Sequence, residues 1–314
     1  MLTKPKLLLF ATKMSPVKNL FGADGIRGII DKYPLRSEDV EQLGRAIAAA
    51  TRSHSSAPEF LVGADTRESS QRLKRTLSDG LSRAGVRVID AGTLPTAALS
   101  FLIASKGFFS GGAMITASHN PVIENGIKVF DPRGVKVTDE IELQIEEHFR
   151  GSTPPLLDLY PTPPRDDPTY TEQYIRALAQ EQRNEPRFGK RIVIDCANGA
   201  ASTLAPAVMD KLGLPYALIN ANPDGTNINF QAGSEHVRLY PELFYKELCR
   251  YNADLGVAFD GDADRVVFVD RRQRFYNGDI ILSILALKLQ RQQSLSQHTR
   301  SEEHTSELQS PNTI

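Results

Sequence analysis

Tryptophan is absent from the 314 residues, and cysteine occurs only at Cys196 and Cys249. The first absence removes one common platform for stacking bases or sugars. The second excludes a disulfide-built scaffold, because a chain this long cannot depend on a single bridge; a reducing, cytoplasmic setting fits. An excess of charge of one sign is also missing, with 37 Lys and Arg against 38 Asp and Glu and a net charge of -1. Nothing in that balance favours polyanionic nucleic acid or a membrane surface as partner, and a small molecule is the expected ligand. Long apolar runs are lacking too. The run 7–11, behind Lys4 and Lys6, is closed by Lys13 and falls short of the ~7–15 residues of a signal-peptide core and the ~20 of a spanning helix. Met14 is the expected natural start, with residues 1–13 read from upstream.

What is present is ordinary globular material, 40% hydrophobic and 24% charged, long enough for two domains at ~100–200 residues each. Apolar β-rich runs alternate with helical patterns, the signature of parallel sheets built from βαβ units. Val40, Leu43, Ala46 and Ile47 follow Ser37 at helical spacing. A strand over 60–63 leads through Asp65-Thr66-Arg67 into a helix around Leu73, Leu77 and Leu81, and a strand over 86–89 follows. Further strands are predicted over 111–116 and 127–130, then a helix over 141–149. Pro154, Pro155, Pro161, Pro163, Pro164 and Pro168 then mark a boundary, since neither a helix interior nor a central strand tolerates them. Beyond it the pattern restarts with a helix over 170–179, strands over 191–194, near 218, over 255–259 and over 266–269, and a helix over 241–249. An apolar helix over 280–289 has no following element to bury against.

The chemistry is sharpest at Asp260-Gly261-Asp262-Ala263-Asp264-Arg265. Three carboxylates at alternate positions after an apolar strand converge only if a cation offsets their repulsion. Hard oxygen donors suit Mg²⁺. An EF-hand needs Gly at its sixth position and Glu at its twelfth, where this chain has Arg265 and Arg271. The plainer alternative is a solvated acidic turn.

A second segment, Thr116-Ala117-Ser118-His119-Asn120-Pro121, leaves a strand where α/β proteins bind ligands. It lacks the Gly-x-Ser-x-Gly elbow of hydrolases, and His119 is badly placed by sequence to act as base for Ser118, so acyl transfer is not expected. A serine carrying a phosphoryl group makes sense beside a metal. Lys128, whose pKa burial should lower, suits proton exchange with a sugar hydroxyl. Taken alone, Ser118 reads more readily as a turn residue bonded to nearby backbone, and the other segments overturn that. The third segment, Phe21-Gly22-Ala23-Asp24-Gly25-Ile26-Arg27-Gly28, offers a tight backbone and an arginine that can hold phosphate, and alone reads as a solvated loop.

Together with Val193-Ile194-Asp195-Cys196-Ala197-Asn198-Gly199-Ala200 and Pro223-Asp224-Gly225-Thr226-Asn227-Ile228-Asn229, these segments resemble the α-D-phosphohexomutase family from about Asn19 to about Leu289. They look like its glucosamine-phosphate branch more than its phosphomannomutase/phosphoglucomutase branch. The resemblance implies tandem phosphohexomutase-type α/β domains with mixed sheets, two complete and the start of a third. The expected limits are an extension over 1–18, a phosphoserine domain over 19–155, a Mg²⁺-binding domain over 156–272, the start of a third domain over 273–299 and a non-native tail over 300–314. It further implies phosphoserine at Ser118, one Mg²⁺ held by Asp260, Asp262, Asp264 and an oxygen on Ser118, Lys128 as general acid/base, Arg27 and Arg265 at the transferring phosphate, and His119 in support. The implied reaction interconverts glucosamine 6-phosphate and glucosamine 1-phosphate through a 1,6-bisphosphate, feeding UDP-N-acetylglucosamine and cell-wall precursors. The implied partner is a sugar phosphate, with no nucleic acid or membrane, and a homodimer is compatible.

Ala23 stands where that branch usually has Thr, and Ala263 where Gly is frequent; on size alone neither should matter. No Gly-Glu-x-Ser-Gly-His type sugar loop occurs, so the chain itself is expected to show little or no turnover. A rival reading, a phosphatase of the haloacid-dehalogenase kind, would make Asp260 the nucleophile. It expects Thr or Val at position 264 and gives Ser118 no task.

Overall fold

The structure, a computed structural model, describes residues 20–51, 58–152, 162–167, 169–181 and 189–293. The expectations for 1–18, for most of the proline-rich link and for 300–314 lie outside the described residues. In chain order the first half runs β1 (Ile26–Ile29), α1 (Ser37–Thr51), β2 (Glu59–Ala64), α2 (Glu68–Arg83), β3 (Arg87–Thr93), α3 (Thr96–Lys106), β4 (Gly111–Ile115), β5 (Glu124–Phe130), α4 (Asp139–Glu147) and β6 (Arg165–Asp166). The second runs α5 (Thr169–Glu181), β7 (Ile192–Asp195), α6 (Ala201–Leu212), β8 (Tyr216–Ile219), α7 (Gly233–Leu239), α8 (Pro241–Arg250), β9 (Leu255–Phe259), β10 (Val266–Asp270), β11 (Phe275–Tyr276) and α9 (Gly278–Arg291).

Two sheets result, ordered β1-β5-β4-β2-β3-β6 and β11-β10-β9-β7-β8. The alternation of strands and helices predicts parallel sheets, and the inner pairs β2/β3, β2/β4, β7/β8 and β7/β9 are parallel. Hairpin-linked strands add antiparallel pairs β4/β5, β9/β10 and β10/β11, and β1 adds antiparallel to β5 across a long stretch of chain, so both sheets are mixed, as the family resemblance implies. Residues 60–64 of β2 and the whole of β4 are buried, the near-continuous apolar run of strands covered on both faces. One face of the first sheet packs on α1, α2 and α4 through Val40, Leu43, Leu77 and Ile145. The other packs on α3 through Leu99, Leu102 and Ile103. In the second sheet Val193 and Val269 pack under Phe244 and Leu248 of α8, while Ile192 and Ile194 meet Ala201 and Met209 of α6.

Three features depart from the sequence reading. Residues 165–166, assigned to a link by their prolines, form β6 on the outer edge of the first sheet, the one place such a segment is tolerated. Tyr170 and Ile175 of α5 join the α3 core, and Leu204 of α6 joins it too, so these helices form the seam between the two sheets. The helix α3 and the short β1 and α7 are additional elements. As expected, α9 buries none of its residues. Among the described residues no helix is long and apolar enough to cross a membrane.

Helices α1 and α2 touch at glycines. A Cβ on Gly80 would strike the Glu41 carbonyl oxygen, and one on Gly44 would meet the Leu81 nitrogen at 2.9 Å. Alanine at position 80 gains ~1 kcal/mol of helix propensity but overpacks the contact at about 1–3 kcal/mol. Gly80→Ala should therefore destabilise the fold by a net of about 1 kcal/mol, read as a lower urea midpoint; an unchanged midpoint would contradict this packing.

Candidate active site and metal centre

The carboxyl ends of the central parallel strands of the two sheets face one another. Asp65–Arg67 follow β2, Thr116–Pro121 follow β4, and Asp260–Arg265 join β9 to β10. The halves meet through backbone and hydroxyl groups: Thr66 Oγ1 donates to the Asn198 carbonyl at 2.6 Å, the Glu68 N–H to the Gly225 carbonyl at 2.9 Å and the Thr96 N–H to the Asp262 carbonyl at 3.0 Å. Gly261 is required here, since a Cβ would come within 2.6 Å of the Ser118 carbonyl oxygen.

Ser118 is 1% exposed, and its Oγ donates to Asp260 Oδ2 at 2.6 Å. Its backbone is left-handed, with φ at 53°, which for a non-glycine costs about 1–2 kcal/mol. Local bonds hold it there. The Ser118 N–H donates to Thr116 Oγ1 at 2.9 Å, and the Ser118 carbonyl accepts from Arg67 at 3.2 Å and from Asn229 at 2.8 Å. His119 Nδ1 lies 3.4 Å from Ser118 Oγ, at the long limit of a hydrogen bond. Burial, then the Arg265 and Arg27 charges, lower the His119 pKa, so the imidazole is neutral at neutral pH.

Oxygens of Asp260, Asp262 and Asp264 all lie within 4.8 Å of one another. Asp260 and Asp262 are buried, while the Asp264 side chain is 32% exposed. Burial, then the Asp262 and Asp264 charges, push the Asp260 pKa well above the usual carboxylate range. Burial also raises Asp264, which is next to Asp262. Asp262 is lowered: burial opposes the change, and the Lys128 ammonium outweighs it. Lys128 Nζ sits 2.8 Å from Asp262 Oδ2 and 2.7 Å from Asp264 Oδ2. This corrects the expectation for Lys128. Burial alone would lower its pKa, but the two carboxylates outweigh burial and raise it, so the side chain is held as an ammonium.

The donor set fits a divalent cation. One ammonium against three carboxylates leaves excess negative charge. Asp262 Oδ1, moreover, is buried without a hydrogen-bond partner, although its other oxygen accepts from Thr96 Oγ1 at 2.5 Å and from Lys128. An oxygen-only set of three carboxylates and a serine hydroxyl is the chemistry of Mg²⁺.

Arg27 Nη2 pairs with Asp24 at 2.9 Å, and Arg27 lines a cavity of about 430 Å³ with Leu20 to Gly25. The Arg265 N–H donates to Asp260 Oδ1 at 3.2 Å. Arg27 Nη1 also donates to Asn120 Oδ1 at 3.4 Å, on the serine turn. The six candidates Ser118, His119, Lys128, Asp260, Asp262 and Asp264 thus cluster directly, with both arginines beside them. The sequence reading missed Arg67, Thr96 and Asn229. The one available signal for Arg67 was a charged residue just past a buried strand at the ligand-binding edge. Size proved an incomplete guide at Ala263, whose φ of 55° is left-handed; alanine there carries a cost of about 1–2 kcal/mol that glycine avoids.

Residues 18–155 match the family described as phosphoglucomutase/phosphomannomutase, alpha/beta/alpha domain I, and residues 172–273 match its alpha/beta/alpha domain II. A phosphoglucosamine mutase from Geotalea uraniireducens is 38% identical over 90% of this chain and 62% of its own length. One from Caldicellulosiruptor bescii is 39% identical over 89% of this chain and 62% of its own. The chain therefore spans a little under two thirds of these relatives. A solved phosphoglucomutase/phosphomannomutase family protein from Burkholderia thailandensis superposes with a TM-score of 0.74 at 26% identity, covering 87% of this chain and 59% of that one. With both domains matched in order and a solved member of the family superposing over most of this chain, the chain belongs to the phosphoglucomutase/phosphomannomutase family, the α-D-phosphohexomutases.

Proposed function

We propose that this protein acts in the interconversion of glucosamine 6-phosphate and glucosamine 1-phosphate, with Ser118 as the residue that carries the phosphoryl group. The observation that carries the reading is the 2.6 Å bond from Ser118 Oγ to Asp260, a member of the acidic triplet. The phosphoglucosamine mutases of Geotalea uraniireducens and Caldicellulosiruptor bescii to which the chain is similar favour the glucosamine branch over mannose or glucose phosphates. The sugar O1 attacks phosphorus on phospho-Ser118 as the O–P bond to the serine breaks; the Lys128 ammonium gives a proton to the departing serine oxygen and is reprotonated by the proton lost from the O1 hydroxyl, so the step balances. The bisphosphate then turns over in the cleft and gives its 6-phosphoryl group back to Ser118. Such transfers pass through a loose transition state, so the protein's task is positioning and charge neutralisation. Arg27 and Arg265 face the phosphate, Lys128 enters as proton donor, and His119 supports the serine. Asp260, Asp262, Asp264 and the Ser118 oxygen would hold Mg²⁺, which supplies charge neutralisation to the phosphoryl group. The product suits a precursor route to UDP-N-acetylglucosamine, and two free cysteines fit a cytoplasmic setting.

The test uses the 314-residue chain with Mg²⁺ and labelled glucosamine 1,6-bisphosphate. The expected result is label on Ser118, released as phosphoserine on hydrolysis and peptide mapping. Trapping the label on Asp260 would favour the phosphatase reading, and an unlabelled chain would refute the phosphoserine assignment.

A further inference from the structure

Both polar groups of the Ser118 peptide lead back to one buried pair, Asp65 and Arg67, whose side chains are each fully buried. On the amide side, the Ser118 N–H donates to Thr116 Oγ1 at 2.9 Å, and Thr116 Oγ1 donates to Asp65 Oδ2 at 2.7 Å. On the carbonyl side, Arg67 is paired with Asp65 through Nη1, and its Nη2 donates to the Ser118 carbonyl at 3.2 Å and to the Asn120 carbonyl at 2.7 Å. Asp65 is fixed in turn by the Arg67 N–H at 3.0 Å and Ser70 Oγ at 2.8 Å. From the other half of the molecule, Asn229 Nδ2 reaches the same two carbonyls, at 2.8 Å and 3.3 Å. The serine turn is therefore gripped from both lobes at the same atoms.

Stability alone is a poor reason for this arrangement. A buried ion pair costs desolvation and is often matched or bettered by packed apolar side chains, and Arg67 also leaves its Nε buried and unpaired. The pair does, however, supply what a left-handed serine needs, a fixed peptide plane on both sides of its Cα. Phosphoryl transfer depends on that: a misplacement of ~1 Å costs on the order of 100-fold in rate, and useful sites are held to within ~0.5 Å.

We infer that Arg67, braced by Asp65 and joined by Asn229, is a positioning residue for phosphoryl transfer: its guanidinium fixes the Ser118 and Asn120 carbonyls and thereby the direction in which Ser118 Oγ points. This rests on the reading of Ser118 as the phosphoryl carrier. A lysine at position 67 keeps the charge, but its single ammonium lacks the planar fork that serves Asp65 and two carbonyls together. Asn229→Ala removes the second-lobe half of the grip without touching the buried pair.

The experiment measures label transfer from glucosamine 1,6-bisphosphate to Ser118 in the wild-type chain, Arg67→Lys and Asn229→Ala, each with Mg²⁺. Hydrogen exchange at the amides of 118–120 is followed in parallel. Arg67→Lys should slow transfer at saturating bisphosphate by about 100-fold, Asn229→Ala by less. The half-saturating concentration should stay unchanged, and exchange should quicken in that turn while the sheet amides stay protected. If Arg67→Lys fails to fold, Asn229→Ala alone decides. Wild-type labelling with either folded variant transferring as fast as wild type would overturn the positioning role alone. A wild-type chain that takes no label would overturn the phosphoserine reading, and this inference with it.

Discussion

Ser118→Ala is expected to reduce phosphoryl incorporation, and any mutase turnover, to background while leaving the fold and the acidic loop in place. Two hydroxyls touch the triplet, so the outcome is not trivial. Thr96 Oγ1 lies 2.5 Å from Asp262 Oδ2, but Thr96 is the first residue of α3 and its N–H is also committed to the Asp262 carbonyl. It orients the loop and has no freedom to exchange a phosphoryl group. Ser118 is the hydroxyl on a turn at the strand edge, bonded to Asp260 and within reach of His119. Alanine accepts the left-handed φ about as well as serine, so the substitution forfeits one hydrogen bond to a buried carboxylate, about 1.5–3 kcal/mol, and Tm should fall by roughly 3–12 °C. Label retained on another residue of the Ser118→Ala chain would contradict the assignment.

The residues that could be read from sequence are those whose chemistry is local. Asp260, Asp262 and Asp264 sit at alternate positions of one loop, and Ser118 and His119 on one turn, so spacing already announces a site. Arg67 and Asn229 act across 51 and 111 residues of chain, distances at which no periodicity carries information. Asn229 lay inside a recognised segment and still had no visible task, because its partner carbonyls belong to the other lobe. The fold shows the same division. Strands such as Leu255–Phe259 declare themselves by composition. Helix α3, apolar over nearly its whole length, packs on the first sheet and on α5. It therefore lacks the polar face that marks a surface helix. Lys128 marks the limit for electrostatics: its burial was foreseeable, and the two carboxylates that reverse the consequence were not.

Magnesium should raise the Tm of the chain at neutral pH, and Asp262→Asn should abolish the rise. Bound at 100 times its Kd, a ligand stabilises by ~2.7 kcal/mol, worth about 5–11 °C at 2–4 °C per kcal/mol for a domain of this size class. The pH dependence carries the sharper test. The folded pKa of Asp260 lies above its unfolded value, so its favourable contribution is complete below the unfolded pKa and is lost as pH rises through the folded one. Once ionised, Asp260 therefore costs stability, and so does Asp264, also raised. Asp262 has the opposite sign: lowered by Lys128, it stabilises above its unfolded pKa. Lowering the pH through the raised Asp260 pKa should thus stabilise the chain without magnesium. It should weaken magnesium binding over the same interval, because proton and metal compete for one carboxylate. Thermal melts with and without Mg²⁺ across that interval, with Mn²⁺ binding followed by electron paramagnetic resonance, separate the two effects. A magnesium-induced rise that grows on acidification, or that Asp262→Asn retains in full, would place the metal elsewhere than on this triplet.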